Sequence, residues 1–244
     1  MTNPIVVSAS ENHFNPLLIH NNGSGYDTEI LRKFGEPAWN YQVVRFLDQN
    51  EKDIIPRKDK VWTTLPLLQR MKKTLVTSKR PVPHYLDLAI SELDTSSHKT
   101  IAISQHCFWT GEARLGQIEG VIATEAGWFD GKEVTKLTYD SRALTIEQLL
   151  RESKKLRCAD NAYISNPADL KKAETLNLLP AKTLTSSYRP ARQSDQKRQV
   201  QAFNFPSSVS QGQLTKFNAF YHVDKNIAAS YLTEKQLKQM STSR

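Results

Sequence analysis

A strand-like apolar run over residues 100–104 gives way to Gln105-His106-Cys107-Phe108-Trp109-Thr110-Gly111-Glu112. One of only two cysteines in the 244-residue chain therefore lies where a strand should end and a helix begin. The unpaired N–H groups and the dipole of a helix N-terminus favour a thiolate at such a position. Two large aromatic side chains follow the cysteine and predict a pocket wall or a core anchor. The segment therefore points to thiol chemistry.

Around this stretch, residues 99–165 predict six elements in the order β-α-β-β-α-β. This order is the split βαβ, or ferredoxin-like, plan. Asp130-Gly131 predicts a tight turn between the second and third strands. Thr145-Ile146-Glu147-Gln148 has the form of a capping box that begins the second helix. The predicted strands are 100–104, 120–127, 133–139 and 161–164, and the first helix is 108–118.

Residues 1–98 predict an N-terminal α/β region of unassigned role, which makes the whole chain an α+β protein. A hairpin built from strand 41–47 and Ile54-Ile55 precedes helices over 62–75 and 84–93. A hairpin followed by a helix resembles half of a thioredoxin fold, although no Cys-x-x-Cys precedes it. The alternative is a small layer that only supports the next domain.

Residues 166–244 predict a basic, mostly helical extension, with helices over 169–176, 210–220 and 234–240 and a long loop over 185–198. Of the net charge of +8, residues 165–244 carry +7, from 12 Lys/Arg against 5 Asp/Glu. No run of Lys or Arg there exceeds two residues, which favours scattered surface charges over a nucleic-acid interface. A basic adaptor that contacts nucleic acid or acidic partners is the weaker alternative.

The remaining composition excludes several classes of protein. Two cysteines do not form a disulfide framework, and no stretch approaches the ~20 apolar residues of a membrane helix. Residues 1–10 lack the basic and apolar regions of a signal peptide, so we expect a cytoplasmic location, or a periplasmic or secreted one if a leader was removed. The six histidines show no metal-ligand spacing, and no Gly-rich phosphate loop occurs. We therefore expect neither a metal nor a bound cofactor.

With these motifs, residues 99–157 resemble peptide methionine sulfoxide reductase A. Members of that family carry Gly-Cys-Phe-Trp where a strand meets a helix, and this chain has Cys107-Phe108-Trp109. Its 120–128 stretch is similar to the family's next strand, and 133–140 to the strand that carries the family's catalytic glutamate. Residues 144–150 match the helix that follows. The likeness covers about a quarter of the chain.

The chain departs from the family's pattern around the pocket for the sulfoxide oxygen. His106 replaces the glycine before the nucleophile, and Gly131-Lys132-Glu133 keeps the glutamate of a His-Ala-Glu motif without its histidine. The family's long loop, with a tyrosine that helps to bind the oxygen, is reduced to Phe129-Asp130-Gly131. The C-terminal recycling cysteines of the family are absent.

The resemblance implies thiol-dependent reduction of methionine sulfoxide, free or in peptides. Cys107 would attack the sulfoxide sulfur and become a sulfenic acid. Glu133, partly buried beside aromatic rings, would protonate the departing oxygen. Phe108, Trp109 and Trp128 would bind the S-methyl group, and an external thioredoxin-type thiol would regenerate Cys107.

Each of these residues also has a structural interpretation. Cys107 can be a buried, inert cysteine, Glu133 a solvated strand residue, and Glu112 a first-turn carboxylate that complements the helix dipole. Cys158 is the internal candidate for resolving an oxidised Cys107, since its basic neighbours favour a thiolate. However, we expect the two cysteines to lie at separated ends of the fold. The alternative function is a catalytically silent relative that binds peptides or proteins through its aromatic pocket.

Overall fold

The structure is a computed structural model that describes residues 3–37, 39 and 42–242, and the chain divides into two units, Met1–Ile90 and Ser91–Arg244. The regions predicted separately as 99–165 and 166–244 share the second unit. The second unit begins at Ser91, before the predicted boundary at residue 98, because residues 91–98 form hydrogen bonds within the second unit. The Glu92 carboxylate accepts hydrogen bonds from Ser210 Oγ and Gly212 N–H, each at 2.7 Å.

The N-terminal part of the chain combines a hairpin with helices, as predicted for residues 41–93. The two strands pair antiparallel, and both predicted helices follow them. Tyr41, in the predicted first strand, lies outside the described residues. The likeness to half of a thioredoxin fold stays a prediction. The elements are α1 (Pro4–His13), α2 (Tyr26–Lys33), β1 (Val44–Leu47), β2 (Asp53–Lys58), α3 (Thr64–Thr77) and α4 (His84–Leu93).

The sequence prediction lacks helix α1, although its first residues carry a recognisable cap. The Asn3 side chain accepts hydrogen bonds from the N–H groups of Ile5 and Val6 at 2.9 and 3.3 Å. Pro4 occupies the first helical position, where its missing N–H leaves no hydrogen bond unmade. The buried side chains of α1 join the core of the first unit. The Asn-Pro pair at residues 3 and 4 is the signal that predicts this helix.

A six-stranded mixed sheet is the framework of the second unit, with strand order β7-β6-β3-β5-β4-β8. The predicted order β-α-β-β-α-β is found over residues 98–164, and its strands pair antiparallel. The ferredoxin-like classification stays a prediction. The elements are β3 (His98–Ser104), α5 (Phe108–Leu115), β4 (Val121–Phe129), β5 (Lys132–Asp140), α6 (Ile146–Lys155), β6 (Asn161–Ile164), α7 (Pro167–Leu176), β7 (Ala181–Thr183), β8 (Arg189–Pro190), β9 (Phe203–Asn204), α8 (Gln211–Phe220), α9 (Lys225–Ser230), α10 (Glu234–Gln239) and β10 (Ser241–Thr242).

The main core of this unit contains side chains from α5, α6 and the sheet. Leu115 of α5 and Leu149 of α6 are fully buried in one cluster with Ile101, Ile103 and Leu137. Alternation along a strand places Ile101 and Ile103 on the same face. Burial of these side chains fixes α5 against the sheet, and thereby fixes its N-terminus beside the end of β3.

The C-terminal region contributes strands as well as helices, so the expectation of a mostly helical extension is incomplete. β7 pairs parallel with β6, and β8 pairs antiparallel with β4, which extends the sheet at both edges. β8 lies inside the stretch 185–198 predicted as a loop, because two paired residues leave no readable periodicity. None of the described helices is long and apolar enough to cross a membrane.

Candidate active site

Cys107 is the N-cap residue of α5, as the sequence predicts. Its backbone is extended, with φ −146° and ψ 121°, and the helix begins at the next residue. The thiol is free and partly exposed. Its neighbour His106 is exposed. Cys107 is therefore a partly exposed residue placed where the first N–H groups of a helix converge.

Glu133 lies beside the same helix end. Its Oε2 accepts a hydrogen bond from the Phe108 N–H at 2.8 Å, and its carbonyl oxygen accepts one from the Gln105 N–H at 3.3 Å. The side chain is partly buried, and it shares a strand face with buried Leu137. These contacts bring the two predicted catalytic groups, Cys107 and Glu133, to one helix N-terminus.

The three predicted pocket aromatics form one cluster. The Phe108 ring is buried and packs edge-on against Trp109 at 5.7 Å and against Trp128 at 5.6 Å between centroids. Trp128 lies directly opposite Glu133 in the β4–β5 pair and is 43% exposed. Phe108 is thus a core anchor, whereas Trp128 is a more exposed cross-strand neighbour of Glu133.

Close packing between α5 and β5 holds this arrangement. A Cβ added at Gly111 would overlap Thr135 Oγ1 and lie 2.6 Å from the side-chain amide of Gln105. Gln105 is itself buried, and its amide lies 2.9 Å from Thr135 Oγ1. Glycine is therefore required at this helix position because a strand hydroxyl occupies the space of a side chain.

Glu112 does not act as a first-turn carboxylate toward solvent, which corrects the prediction. It is fully buried, and its Oε2 accepts a hydrogen bond from the Lys197 N–H at 2.6 Å. The Lys197 Nζ lies 3.5 Å from Oε1 and donates to the Thr124 carbonyl oxygen at 2.6 Å. Burial raises the pKa of Glu112, and the nearby ammonium opposes that rise. Residue 112 lies on the side of α5 that packs into the protein, so its carboxylate is buried.

The stretch predicted as a long loop also supports Trp109, a contact that sequence reasoning missed. The indole Nε1–H donates to the Asp195 carbonyl oxygen at 2.9 Å, and the Arg198 guanidinium lies 4.3 Å from the ring centroid. Residues 195–198 contact Trp109 through a main-chain carbonyl oxygen and a long polar side chain. Contacts of this kind leave no apolar periodicity in the sequence. Among the residues that the structure describes, no group of three or more His, Cys, Asp or Glu could hold a metal ion.

Cys158 lies nearer to Cys107 along the sheet than predicted. β3 and β6 pair with Ser104 opposite Asn161, and the Asp160 N–H donates to the Ser104 carbonyl oxygen at 2.8 Å. Cys107 follows Ser104 by three residues, and Cys158 precedes Asn161 by three residues. Because the strands are antiparallel, both cysteines lie beyond the same end of the β3–β6 pair. The expectation of separated ends is therefore wrong.

The environment of Cys158 does not favour its thiolate, contrary to the prediction from its basic neighbours. The side chain is 1% exposed and belongs to the main core. Burial raises the pKa of the Cys158 thiol to about 11, and the opposing effect of Arg114 is smaller. The loss of hydration outweighs the charge of Arg114.

The hairpin between β4 and β5 is tight. Asp130 and Gly131 form the turn with φ values of 52° and 69°, and Phe129 pairs directly with Lys132. A two-residue turn of this kind matches the twist of the flanking strands. No long segment therefore extends from this turn toward Cys107.

Tyr188 does not stand in for the family's oxygen-binding tyrosine. Its hydroxyl donates to Glu125 Oε1 at 2.7 Å, and its ring covers Gly127, where an added Cβ would meet the hydroxyl oxygen at 2.5 Å. Residues 125 and 127 project from one sheet face and Trp128 from the other. Tyr188 thus lies on the face opposite Cys107.

No family model matches this chain. The peptide methionine sulfoxide reductase MsrA of Methanococcus maripaludis is 30% identical over a segment that covers 21% of this chain and 44% of that protein. The chain therefore spans less than half the length of this relative. Over that segment it is similar to a methionine sulfoxide reductase.

Two solved structures give weaker likenesses. Methionine sulfoxide reductase A of Corynebacterium diphtheriae has a TM-score of 0.32 at 16% identity, covering 41% of this chain and 73% of its own. Mxr1 from Saccharomyces cerevisiae in an oxidised form has a TM-score of 0.31 at 14% identity, covering 40% and 76%. Scores at this level do not establish a common fold.

Proposed function

We propose that this protein reduces methionine sulfoxide, free or in peptides, through Cys107 on a ferredoxin-like framework. The hydrogen bond from the Phe108 N–H to Glu133 Oε2 is the observation that carries the proposal. It joins the carboxyl group to the helix end at which Cys107 is the N-cap residue. The sequence similarity to a methionine sulfoxide reductase supports the same chemistry.

The reaction moves one oxygen atom from sulfur to sulfur. The Cys107 sulfur attacks the sulfoxide sulfur while Glu133 gives a proton to the sulfoxide oxygen, because an unprotonated oxide is a poor leaving group. Oxygen then passes to Cys107, which becomes a sulfenic acid, and the substrate leaves as methionine. Since Oε2 of Glu133 already accepts from Phe108, Oε1 is the oxygen that carries the proton.

The aromatic cluster gives this site its apolar part. Trp128 is 43% exposed and packs on the buried Phe108 ring, so one indole face remains open beside Glu133. A thioether methyl group gains contact energy against such a face. We assign Trp128 and the exposed side of Trp109 to binding of the S-methyl group, with Phe108 as their support.

Two thiols are needed to return the sulfenic acid to a thiol and water, and we assign them to an external thioredoxin-type reductant. Cys158 and Cys107 lie beyond the same end of the β3–β6 pair, which favours an internal resolving step. However, a thiol with a pKa of about 11 is ionised in roughly one molecule in ten thousand at pH 7. Resolution by Cys158 therefore requires local opening of the core.

Turnover of each methionine sulfoxide diastereomer with dithiothreitol tests the proposal. Cys107→Ser should abolish the reaction, and Glu133→Gln should slow it by about 10²-fold or more, because the amide accepts from Phe108 but cannot transfer a proton. Cys158→Ser is the matched control and should retain turnover under dithiothreitol. Unchanged turnover by Cys107→Ser would refute the proposal.

A catalytically silent binding module is the second candidate function, and the tight Asp130-Gly131 turn favours it. The turn leaves the site without the long loop that the reductase family uses to hold the oxygen. In that case peptides containing methionine sulfoxide should bind, and Trp128→Ala should weaken their binding, while no diastereomer is reduced. Reduction of either diastereomer by the wild-type protein excludes this candidate.

A further inference from the structure

Two exposed arginines flank the aromatic cluster of the candidate active site. Arg198 lies with its guanidinium 4.3 Å from the Trp109 ring centroid, on the outer side of that ring. Arg189 lies directly opposite Trp128 in the β4–β8 pair. Residues opposite each other in an antiparallel pair project from the same face of the sheet. Trp109 therefore has a guanidinium against its ring, and Trp128 has an arginine as its cross-strand neighbour.

Among the residues that the structure describes, no salt bridge involves Arg189 or Arg198. The acidic residue of the same segment, Asp195, contacts Trp109 through its main-chain carbonyl oxygen. The side chains of Arg189 and Arg198 are both exposed. Their charge is thus available to a molecule that enters the site.

The local charge balance points to an anionic partner. Residues 189–198 contain Arg189, Arg192, Lys197 and Arg198 against the single carboxylate of Asp195. Lys197 is buried with Glu112, which leaves the three arginines to set the field at the surface. Guanidinium groups bind carboxylates in a bidentate geometry, and stacking on an aromatic ring pre-orders the Arg198 fork.

We propose that Arg189 and Arg198 select substrates in which a carboxylate lies next to the sulfoxide. The inference rests on the proposed function and names its substrate class, namely methionine sulfoxide flanked by Asp or Glu in a peptide, or carrying its own free α-carboxylate. Both arginines are specificity residues. They bind the carboxylate that lies next to the sulfoxide and take no part in the transfer of oxygen.

Matched substrates separate the two sources of the carboxylate. One pair is a capped peptide with methionine sulfoxide between aspartates and the same peptide with lysines. The other is N-acetylmethionine sulfoxide and its C-terminal amide. At low salt the wild-type protein should favour the acidic member of at least one pair by roughly three- to tenfold in kcat/KM. The preference should arise from a lower KM, and 0.5 M salt should remove it.

The charge-reversal variant Arg189→Glu/Arg198→Glu should lose or invert this preference, measured within each pair as the ratio of the two kcat/KM values. Lys171→Glu/Lys172→Glu is the control, since it makes the same change in net charge at two exposed residues of α7, beside the opposite sheet edge. An equal loss in the control, or no acidic preference in the wild-type protein, overturns the inference.

Binding keeps this test separate from the test of turnover. Quenching of tryptophan fluorescence by the same four compounds reports affinity whether or not any of them is reduced. An acidic preference in binding that the double variant loses supports the arginine assignment even if turnover is absent and the proposed reaction fails. Equal affinity within both pairs refutes the assignment even if all four compounds are reduced.

Discussion

The two sides of helix α5 differ sharply in what surrounds their polar groups. The site mouth, formed by Cys107, Glu133 and Trp128, is partly open to solvent. The buried base, formed by Glu112, Thr124 and Lys197, has every residue at 6% exposure or less. Cys107 and Glu112 are five residues apart, or about 7 Å along the helix axis.

The difference separates two roles within one helix. Polar groups at the mouth can change protonation or bonding partner without breaking the core, which is what a reactive thiol requires. Polar groups at the base are desolvated, so each depends on its partner for stability. We therefore expect variants of the base to lower the free energy of unfolding and variants of the mouth to alter chemistry alone.

The largest effect is expected from Lys197→Met. It leaves the Glu112 carboxylate buried without its cation and should lower the free energy of unfolding by about 3–5 kcal/mol at pH 7. Chemical denaturation of the second unit measures this. The deficit should shrink at pH 5, because protonated Glu112 is cheaper to bury. Lys197→Met/Glu112→Gln should recover part of the loss; no recovery would mean that the two groups are uncoupled.

The mouth could be predicted from the sequence, whereas the base could not. A cysteine between a strand and two aromatic residues is a local pattern, and strand alternation places Glu133 on the face toward α5. The partner of Glu112 is 85 residues away in sequence, and it belongs to a stretch without periodicity. Such a contact depends on the tertiary path of the chain, which no local spacing encodes.

The same limit applies to the sheet. The elements from β3 to β6 could be predicted because each is long enough to show a period or a turn signal. The two added edge strands, β7 and β8, have three and two residues, which is too few for alternation to be read. Cys158 illustrates the limit for a single residue, since its basic neighbours predicted a thiolate, whereas burial raises the pKa of its thiol.

A second, smaller loss of stability is expected from Gly111→Ala, at the contact between mouth and base. The new methyl group would overlap Thr135 Oγ1, so α5 must shift from β5 at a cost of about 1–3 kcal/mol. Thr110→Ala, at the exposed neighbouring position, controls for the change in helix propensity. Because the shift moves Phe108 away from Glu133, turnover should fall as well. Unaltered stability would show that the helix is loosely packed.

Lys216 gives a pH-dependent effect of similar or smaller size at the other end of α5. Its buried Nζ donates to the carbonyl oxygens of Gly116 and Ile118 at 2.8 and 3.1 Å. Burial lowers the pKa of Lys216 to about 8, against about 10.4 in an unfolded chain. Between these values the unfolded chain binds more protons, so the free energy of unfolding should rise with pH.

Lys216→Met removes this titration and should flatten the rise between pH 8 and pH 10. It should also lower stability at pH 7 by roughly 1–3 kcal/mol, because two carbonyl oxygens lose their donor. Urea denaturation of both proteins at four pH values in this range gives the comparison. Parallel curves would show that Lys216 does not titrate there.

The smallest change in stability is expected at the mouth, where Cys107→Ser should shift the free energy of unfolding by less than about 0.5 kcal/mol. The hydroxyl replaces a partly exposed thiol of similar shape, and the Phe108–Glu133 hydrogen bond does not involve the side chain of residue 107. Thermal and urea denaturation measure the shift, with Cys158→Ser as the contrasting variant. Cys158 belongs to the main core, so a hydroxyl buried at that position should cost more, about 1–3 kcal/mol. A loss at Cys107 as large as that at Cys158 would place the Cys107 side chain in the core of the second unit, and the division between mouth and base would no longer hold.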